Sequence, residues 1–164
     1  VYMKIAILYH SESGNTKKVS NAILEEINEF YDVNIKTFSI DKYNLEFVNS
    51  SKIIFIGTPT YLGSTSWQMK KFLDTNKIVW KNKVCSVFAT ENHLGGGADF
   101  AEISIIAQLL VKGAFLYSVG SSEGMPFTHF GTVCIKDGSQ GDQLKRAKLF
   151  GKRVVKNVLE EFNL

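Results

Sequence analysis

The sequence predicts an α/β fold: a doubly wound, five-stranded parallel sheet in the order 2-1-3-4-5, with helices on both faces. Three observations predict it. Short apolar runs alternate with segments of helical periodicity from end to end of the chain. The first of them, Lys4-Ile5-Ala6-Ile7-Leu8-Tyr9, is a short apolar run bounded by polar residues, as a strand covered on both faces is. The helical segments are long enough to cross back over a sheet, which makes the connections right-handed and the strands parallel.

The elements follow in order. Lys4-Ile5-Ala6-Ile7-Leu8-Tyr9 is the first strand. Val19, Ala22, Ile23, Ile27 and Phe30 recur at helical spacing, which predicts a helix over 16–30 with one face on the sheet. Val33 to Ser39 is a second strand, and β-branched Ile53-Ile54-Phe55-Ile56 a third. A helix from about Ser66 to Asp74 buries Met69, Phe72 and Leu73, with Ser64 or Ser66 as its cap. Val84 to Ala89 is the fourth strand, 99–111 a helix with Ile103, Ile106, Ala107 and Leu110 on one face, and Ala114 to Val119 the fifth strand. The last helix, 140–162, buries Leu144, Ala147, Phe150, Val154, Val158 and Phe162.

Composition narrows the function classes. The 164 residues suit one domain, 1–164, with a sizeable core. An apolar content of 45% with 21% charged residues argues against disorder. No apolar run approaches the ~20 residues that span a bilayer, and Val1 to Lys4 lead straight into a strand without a signal-peptide layout. A cytoplasmic protein without membrane contact is expected. The net charge of +3 comes from scattered basic residues, which speaks against nucleic-acid binding. Cys85 and Cys134 lie in apolar, strand-like segments and read as reduced core thiols. His10, His93 and His129 share no ligand spacing with them, so no metal site is expected.

In this fold, ligands bind beyond the carboxyl ends of the strands, where the strand order reverses. Three loops lie there. His10-Ser11-Glu12-Ser13-Gly14-Asn15-Thr16 follows the first strand and opens a helix. A helix start offers unpaired N–H groups and a positive dipole end, which suits phosphate. Ser11, Ser13 and Thr16 add hydroxyls, with Gly14 and Asn15 shaping the turn. No lysine directly follows the glycine, and no G-x-G-x-x-G is present, so neither an ATP loop nor a dinucleotide loop is read here. One terminal phosphate held without Lys or Arg suits flavin mononucleotide (FMN). The second loop, Gly57 to Ser64, contains Pro59, Thr60, Tyr61, Leu62 and Gly63, and Tyr61 is placed to stack on a flat ring. The third loop carries Thr90, Glu91, Asn92 and His93, then Gly95, Gly96 and Gly97, where backbone can pass close to a ligand.

With these residues in hand, the chain resembles the flavodoxin-like FMN proteins, and within them the WrbA-type NAD(P)H:quinone oxidoreductases. Ser11-Glu12-Ser13-Gly14-Asn15-Thr16 matches their phosphate loop. Gly57 to Gly63, followed by Gln68-Met69-Lys70-Lys71-Phe72-Leu73-Asp74, resembles their flavin-ring loop and next helix. Ser86-Val87-Phe88 with Gly95-Gly96-Gly97 resembles their third loop, and Phe130-Gly131-Thr132-Val133, Asp137-Gly138-Ser139 and Ala147 to Gly151 their carboxyl-terminal third. The resemblance implies FMN as cofactor, NAD(P)H as electron donor, and reduction of quinones or similar flat acceptors by hydride transfer through N5 of the flavin. FMN carries the chemistry, so no catalytic side chain is required. It also implies a small-molecule acceptor or a redox protein as partner, and a homodimer or homotetramer. The chain departs from that pattern at Val111-Lys112-Gly113, where the family tends to have histidines. His93 and His129 are candidates to substitute, but each reads more simply as a solvent-facing loop histidine. The alternative function is a flavodoxin carrying single electrons between larger partners. Such carriers are typically strongly acidic, whereas the pI here is about 8.8, which favours the enzyme.

Overall fold

The computed structural model describes residues 2–163. The elements are β1 (Lys4–Tyr9), α1 (Asn15–Phe30), β2 (Asn34–Ser39), α2 (Leu45–Ser50), β3 (Ile53–Tyr61), β4 (Ser64–Thr65), α3 (Trp67–Thr75), β5 (Val84–Glu91), α4 (Ala98–Val111), β6 (Phe115–Leu116), β7 (Thr132–Ile135) and α5 (Gln143–Glu161). Five sheet positions run β2-β1-β3-β5-β6, all parallel, and this is the predicted order.

Alternation along the strands builds two cores. Ile5, Ile7, Ile53, Phe55, Val84 and Phe88 point to one face and pack under α1 and α5 through Val19, Ile23, Phe150 and Val154. Ala6, Leu8, Ile54, Ile56, Cys85 and Val87 point to the other and meet Phe47, Val48, Met69, Leu73, Ile105 and Leu109 of α2, α3 and α4. This is why Ile5 to Leu8 of β1 and Ile53 to Ile56 of β3 are apolar at successive positions. Helices α1 and α5 approach closely at Gly151, where a Cβ would lie 2.7 Å from Ile23 Cγ2. Both cysteines are free and buried. Burial pushes the Cys85 thiol up to about 12 and that of Cys134 to about 11, so neither is a ready nucleophile.

Three features differ from the sequence expectation. Helix α2 was not predicted. It is one short turn-and-a-half with Asn44 as cap, its side chain accepting from the Phe47 N–H at 2.8 Å. Strand β3 runs on to Tyr61 and folds back as a hairpin onto β4, through Thr60–Thr65 and Tyr61–Ser64 pairs. The fifth strand, expected over 114–119, is only two residues long. Its sheet position is divided: β6 pairs with Val84 and Cys85, and β7 pairs in parallel with Phe88 to Glu91. The chain between them, 117–131, leaves the sheet edge and returns. It is held from α5: the Arg153 guanidinium donates to the carbonyls of Glu123, Gly124, Met125 and Pro126, and Asn157 donates to Glu123 and to the Tyr117 hydroxyl.

Candidate functional site

The carboxyl ends of β1, β3 and β5 lie side by side, so the loops after them converge. They enclose an open cavity of about 250 Å³. Ser11, Ser13, Asn15 and Thr16 line it from the first loop, Pro59, Thr60 and Tyr61 from the second, and Thr90, Glu91 and Asn92 from the third, with Glu12 beside them. Of the other expected site residues, Gly14 shapes the helix start, Leu62 and Gly63 form the hairpin tip, and Gly95 and Gly96 shape the third loop. His93 is exposed and does not line the cavity, nor do the two glycines. His129 is also exposed.

The first loop leaves a helix start open. Gly14 is the N-cap of α1 at φ +91°, and no side chain caps the helix. Its first-turn N–H groups therefore face the cavity end with a positive partial charge and no intrahelical partner. The Ser11 hydroxyl accepts from the Gly14 N–H at 3.1 Å and closes the loop. Thr16 is buried, and its hydroxyl meets that of Thr90 at 2.8 Å, joining the first loop to the third where both residues line the cavity. Lys18 is not available to an anion there, because it pairs with Asp137 at 2.7 Å. Lys18 and Ser139 together hold the Asp137 carboxyl well below the usual carboxylate range.

The second loop is braced from below. His10 is 2% exposed, with Nε2 2.9 Å from Glu12 Oε1 and Nδ1 2.9 Å from the Ser66 hydroxyl. A carboxylate accepts and does not donate, so in the neutral ring Nε2 carries the proton and Nδ1 accepts from Ser66. The Ser66 oxygen in turn accepts from the Met69 N–H and caps α3. Gln68 donates to the same Glu12 oxygen at 3.1 Å. The Tyr61 ring stands edge-on to His10, 6.2 Å between centroids and 87° between planes. Burial and the Glu12 carboxylate both raise the Tyr61 phenol above its ordinary value. His10, Glu12 and Ser66 were not among the expected site residues. The available signal was a polar ring directly after a buried strand, two residues before a carboxylate.

The third loop is packed against the second. A Cβ on Gly97 would lie 2.7 Å from Gly63 Cα, so the two loops touch through glycines. Glu91 is buried, and its carboxylate accepts from the Ala98 N–H at 3.1 Å, capping α4. Glu91 also lines a second cavity of about 450 Å³ on the far side of the loop, with Leu94, Asp99, Phe127, His129 and Arg146.

The residues present fit a flavin phosphate-and-ring ligand. The helix start supplies N–H donors, and the hydroxyl of Thr60 is buried with no hydrogen-bond partner among the described residues. An orphaned hydroxyl on a cavity wall is a contact waiting for a ligand. At about 250 Å³ the cavity falls below the range that encloses drug-sized ligands, about 300–1,000 Å³, so a ligand held there stays partly exposed.

Comparison with known proteins gives the chain its family and its fold. A profile of the flavodoxin domain matches residues 6–104, a span that includes all three loops. The chain is 36% identical to a flavodoxin of Clostridium saccharobutylicum over 98% of this chain and 100% of that one. It is 26% identical to an NAD(P)H dehydrogenase (quinone) of Archaeoglobus fulgidus, over 92% of this chain and 95% of its relative. The crystal structure of a WrbA-like flavodoxin from Agrobacterium tumefaciens superposes with a TM-score of 0.76 at 24% identity, covering 96% of this chain and 98% of that one, which shows a shared fold. From its family profile, its full-length relative and its sheet order, the chain belongs to the flavodoxin family.

Proposed function

We propose that the chain binds FMN in the three-loop cavity and works as a flavodoxin-type electron carrier. The observation that carries the reading is the convergence of an uncapped helix start, an orphaned Thr60 hydroxyl and a partly buried Tyr61 on one open cavity. Bound FMN would supply the redox chemistry. The chain's residues bind and orient it. First-turn N–H groups of α1 and the Ser11 and Ser13 hydroxyls hold the phosphate without a cation. Thr60 and the Asn92 loop bond the polar edge of the ligand, and Tyr61 offers a flat face. The cavity's open side leaves a path for electrons without a moving lid.

The second reading is NAD(P)H-dependent reduction of quinones or similar flat acceptors. The 450 Å³ cavity favours it, because it shares Glu91 with the flavin cavity and offers Phe127, His129 and Arg146 to a flat, polar substrate. The slightly basic pI also departs from acidic carriers. The relatives include both kinds.

Two experiments test these readings. Mass spectrometry of heat-released cofactor should find FMN, and recovery of FAD alone overturns the site assignment. Spectroelectrochemical titration under argon then separates the functions. Two resolved one-electron waves and no oxidation of NADH or NADPH support the carrier. A single two-electron wave with rapid nicotinamide oxidation supports the reductase.

A further inference from the structure

His10 is a buried titratable side chain with no part in holding a ligand, because it does not line the three-loop cavity. Two of its neighbours do line it: Glu12, whose Oε1 bonds His10 Nε2, and Tyr61, whose ring stands edge-on to the imidazole. The charges around the ring are unequal. Glu12 faces it from the first loop and the Tyr61 phenol from the end of β3. The start of α3 contributes Ser66 and Gln68, both uncharged. Asp41, after β2, and Lys71, on α3, line a groove that Gln68 shares, with opposite signs. No lysine or arginine is bonded to His10 or Glu12 among the described residues. With a neutral ring the pair therefore puts one uncompensated negative charge on the cavity wall. With a protonated ring it puts none there.

The Ser66 hydroxyl lets the ring take either state. Towards a neutral ring it donates to Nδ1. Its oxygen has two lone pairs, and the Met69 N–H occupies one of them. Turned about its C–O bond, the hydroxyl accepts from a protonated Nδ1 across the same 2.9 Å. A backbone N–H or a carbonyl in that place would fix one state; a hydroxyl serves both. Glu12 accepts from Nε2 throughout, and its side chain is 65% exposed, so water reaches the pair from that side.

We propose that the His10–Glu12 pair couples electron uptake in the three-loop cavity to uptake of one proton on His10 Nδ1, on the reading that FMN occupies that cavity. An electron delivered by a reduced redox protein adds a negative charge in the cavity. A proton from water adds to the Nδ1 lone pair, and no bond of the chain breaks. When the electron leaves, the proton returns to water. Opposite charges attract more strongly across a part-buried site than in bulk water, so reduction favours the imidazolium. By linkage, the imidazolium favours reduction by the same factor. Histidine suits the task because its charge changes within about pH 5–8. The potential is then higher on the acid side of that titration and falls as pH rises through it.

The test uses the full chain, flavin-loaded as purified. Flavin absorbance comes first: a chain without flavin overturns the cavity reading, and this proposal with it. With flavin bound, nitrogen NMR follows the His10 ring over about pH 5–8, oxidised and after reduction by dithionite. The ring should hold its proton about tenfold more tightly in the reduced protein. The midpoint potential should fall over that range by about 60 mV more than in His10→Gln, which is the same tenfold factor for one electron. The glutamine amide can keep a bond to Glu12 but cannot take a proton. Glu12→Gln should weaken the ring's hold on its proton in both redox states. A His10 ring that titrates identically in both states, or in neither, overturns the proposal and leaves the FMN site standing. So does an equal pH dependence of the potential in the parent and His10→Gln. If His10→Gln does not fold, NMR of the parent chain decides alone.

Discussion

Helix α1 starts at Gly14 with φ +91°, and helix α4 at Gly97 with φ +96°; both follow a buried strand, and neither has a cap from its N-cap side chain. From that common start they diverge. The first turn of α1 is left open toward the cavity, whereas that of α4 already holds the Glu91 carboxylate on the Ala98 N–H. An anion has one helix start to choose, because the other is neutralised from within the chain. The outer faces diverge too, charged on α1 and apolar on α4. The same backbone device is therefore left open in one place and used by internal structure in the other, and the neighbouring side chains decide which.

The largest effect should come from making the two starts alike in side chain. Gly97→Ala adds left-handed strain and drives a Cβ to 2.7 Å from Gly63 Cα. Gly14→Ala adds the strain alone, since nothing lies within 4 Å of its Cβ. Strain costs about 1–2 kcal/mol and overpacking about 1–3 more, so Gly97→Ala should lose roughly 3 kcal/mol and Gly14→Ala half of that. Urea unfolding of the flavin-free proteins measures both. Equal losses would mean that the hairpin yields freely and that the loops are not in fixed contact.

A second contrast uses pH. The Glu102 carboxyl is raised above its ordinary value of 4.5 in the folded chain. Between that value and the raised one, the unfolded chain has released the proton and the folded chain keeps it. Stability therefore falls as pH rises through this window. Glu102→Gln keeps the shape and cannot ionise. It should match the parent below the ordinary value and be more stable above it. Parallel stability profiles from about pH 4 to 8 would rule out a protonated Glu102 under α4.

Next comes the ligand itself. Thr16→Val removes a hydroxyl from the first turn of α1 and should weaken FMN about tenfold, the loss of one hydrogen bond of about 1–1.5 kcal/mol. Asp99→Asn, on the first turn of α4, should leave FMN affinity unchanged. If flavin fluorescence titration shows the reverse order, the phosphate belongs to α4. The smallest effect is expected at Tyr61. Tyr61→Ala should loosen FMN several-fold through a lost aromatic contact of about 0.5–1.5 kcal/mol, and Tyr61→Phe should be nearly silent. An unfolded Tyr61→Ala apoprotein would instead make Tyr61 a support for His10.

Much of this was legible in the chain. Runs such as Ile53-Ile54-Phe55-Ile56 predict strands because both their faces are buried, and parallel crossovers then order the sheet. The three loops are legible because Gly14, Pro59 and Gly95 to Gly97 interrupt apolar patterns at strand ends. The divided fifth strand was not. Its halves are set by partners far away, Val84 for one and Phe88 for the other, and Arg153 holds the chain between them. The His10 bracing escaped for the same reason, since Ser66 lies 56 residues away. The face of α4 was misjudged in direction. Periodicity marks Ile103, Ile106, Ala107 and Leu110 as a stripe, yet Ile103, Ala107 and Leu110 face outward, Ile106 packs only partly buried against the core, and Ile105 and Leu109 enter it. A helix apolar nearly all round carries too little contrast to say which side is in.

Arg153 gives the chain a built-in sequence of events. It sits downstream of the excursion it clamps, within the last helix, and it bonds the carbonyls of Glu123, Gly124, Met125 and Pro126. During synthesis, β1 to β5 can pair before that helix exists, but segment 117–131 leaves the ribosome with no clamp to receive it. The four Arg153 bonds can therefore form only once the carboxyl-terminal helix is in place beside the excursion. A nascent chain stalled before residue 153 would lack these bonds and leave segment 117–131 without its clamp, a state in which a chaperone or a protease would meet it.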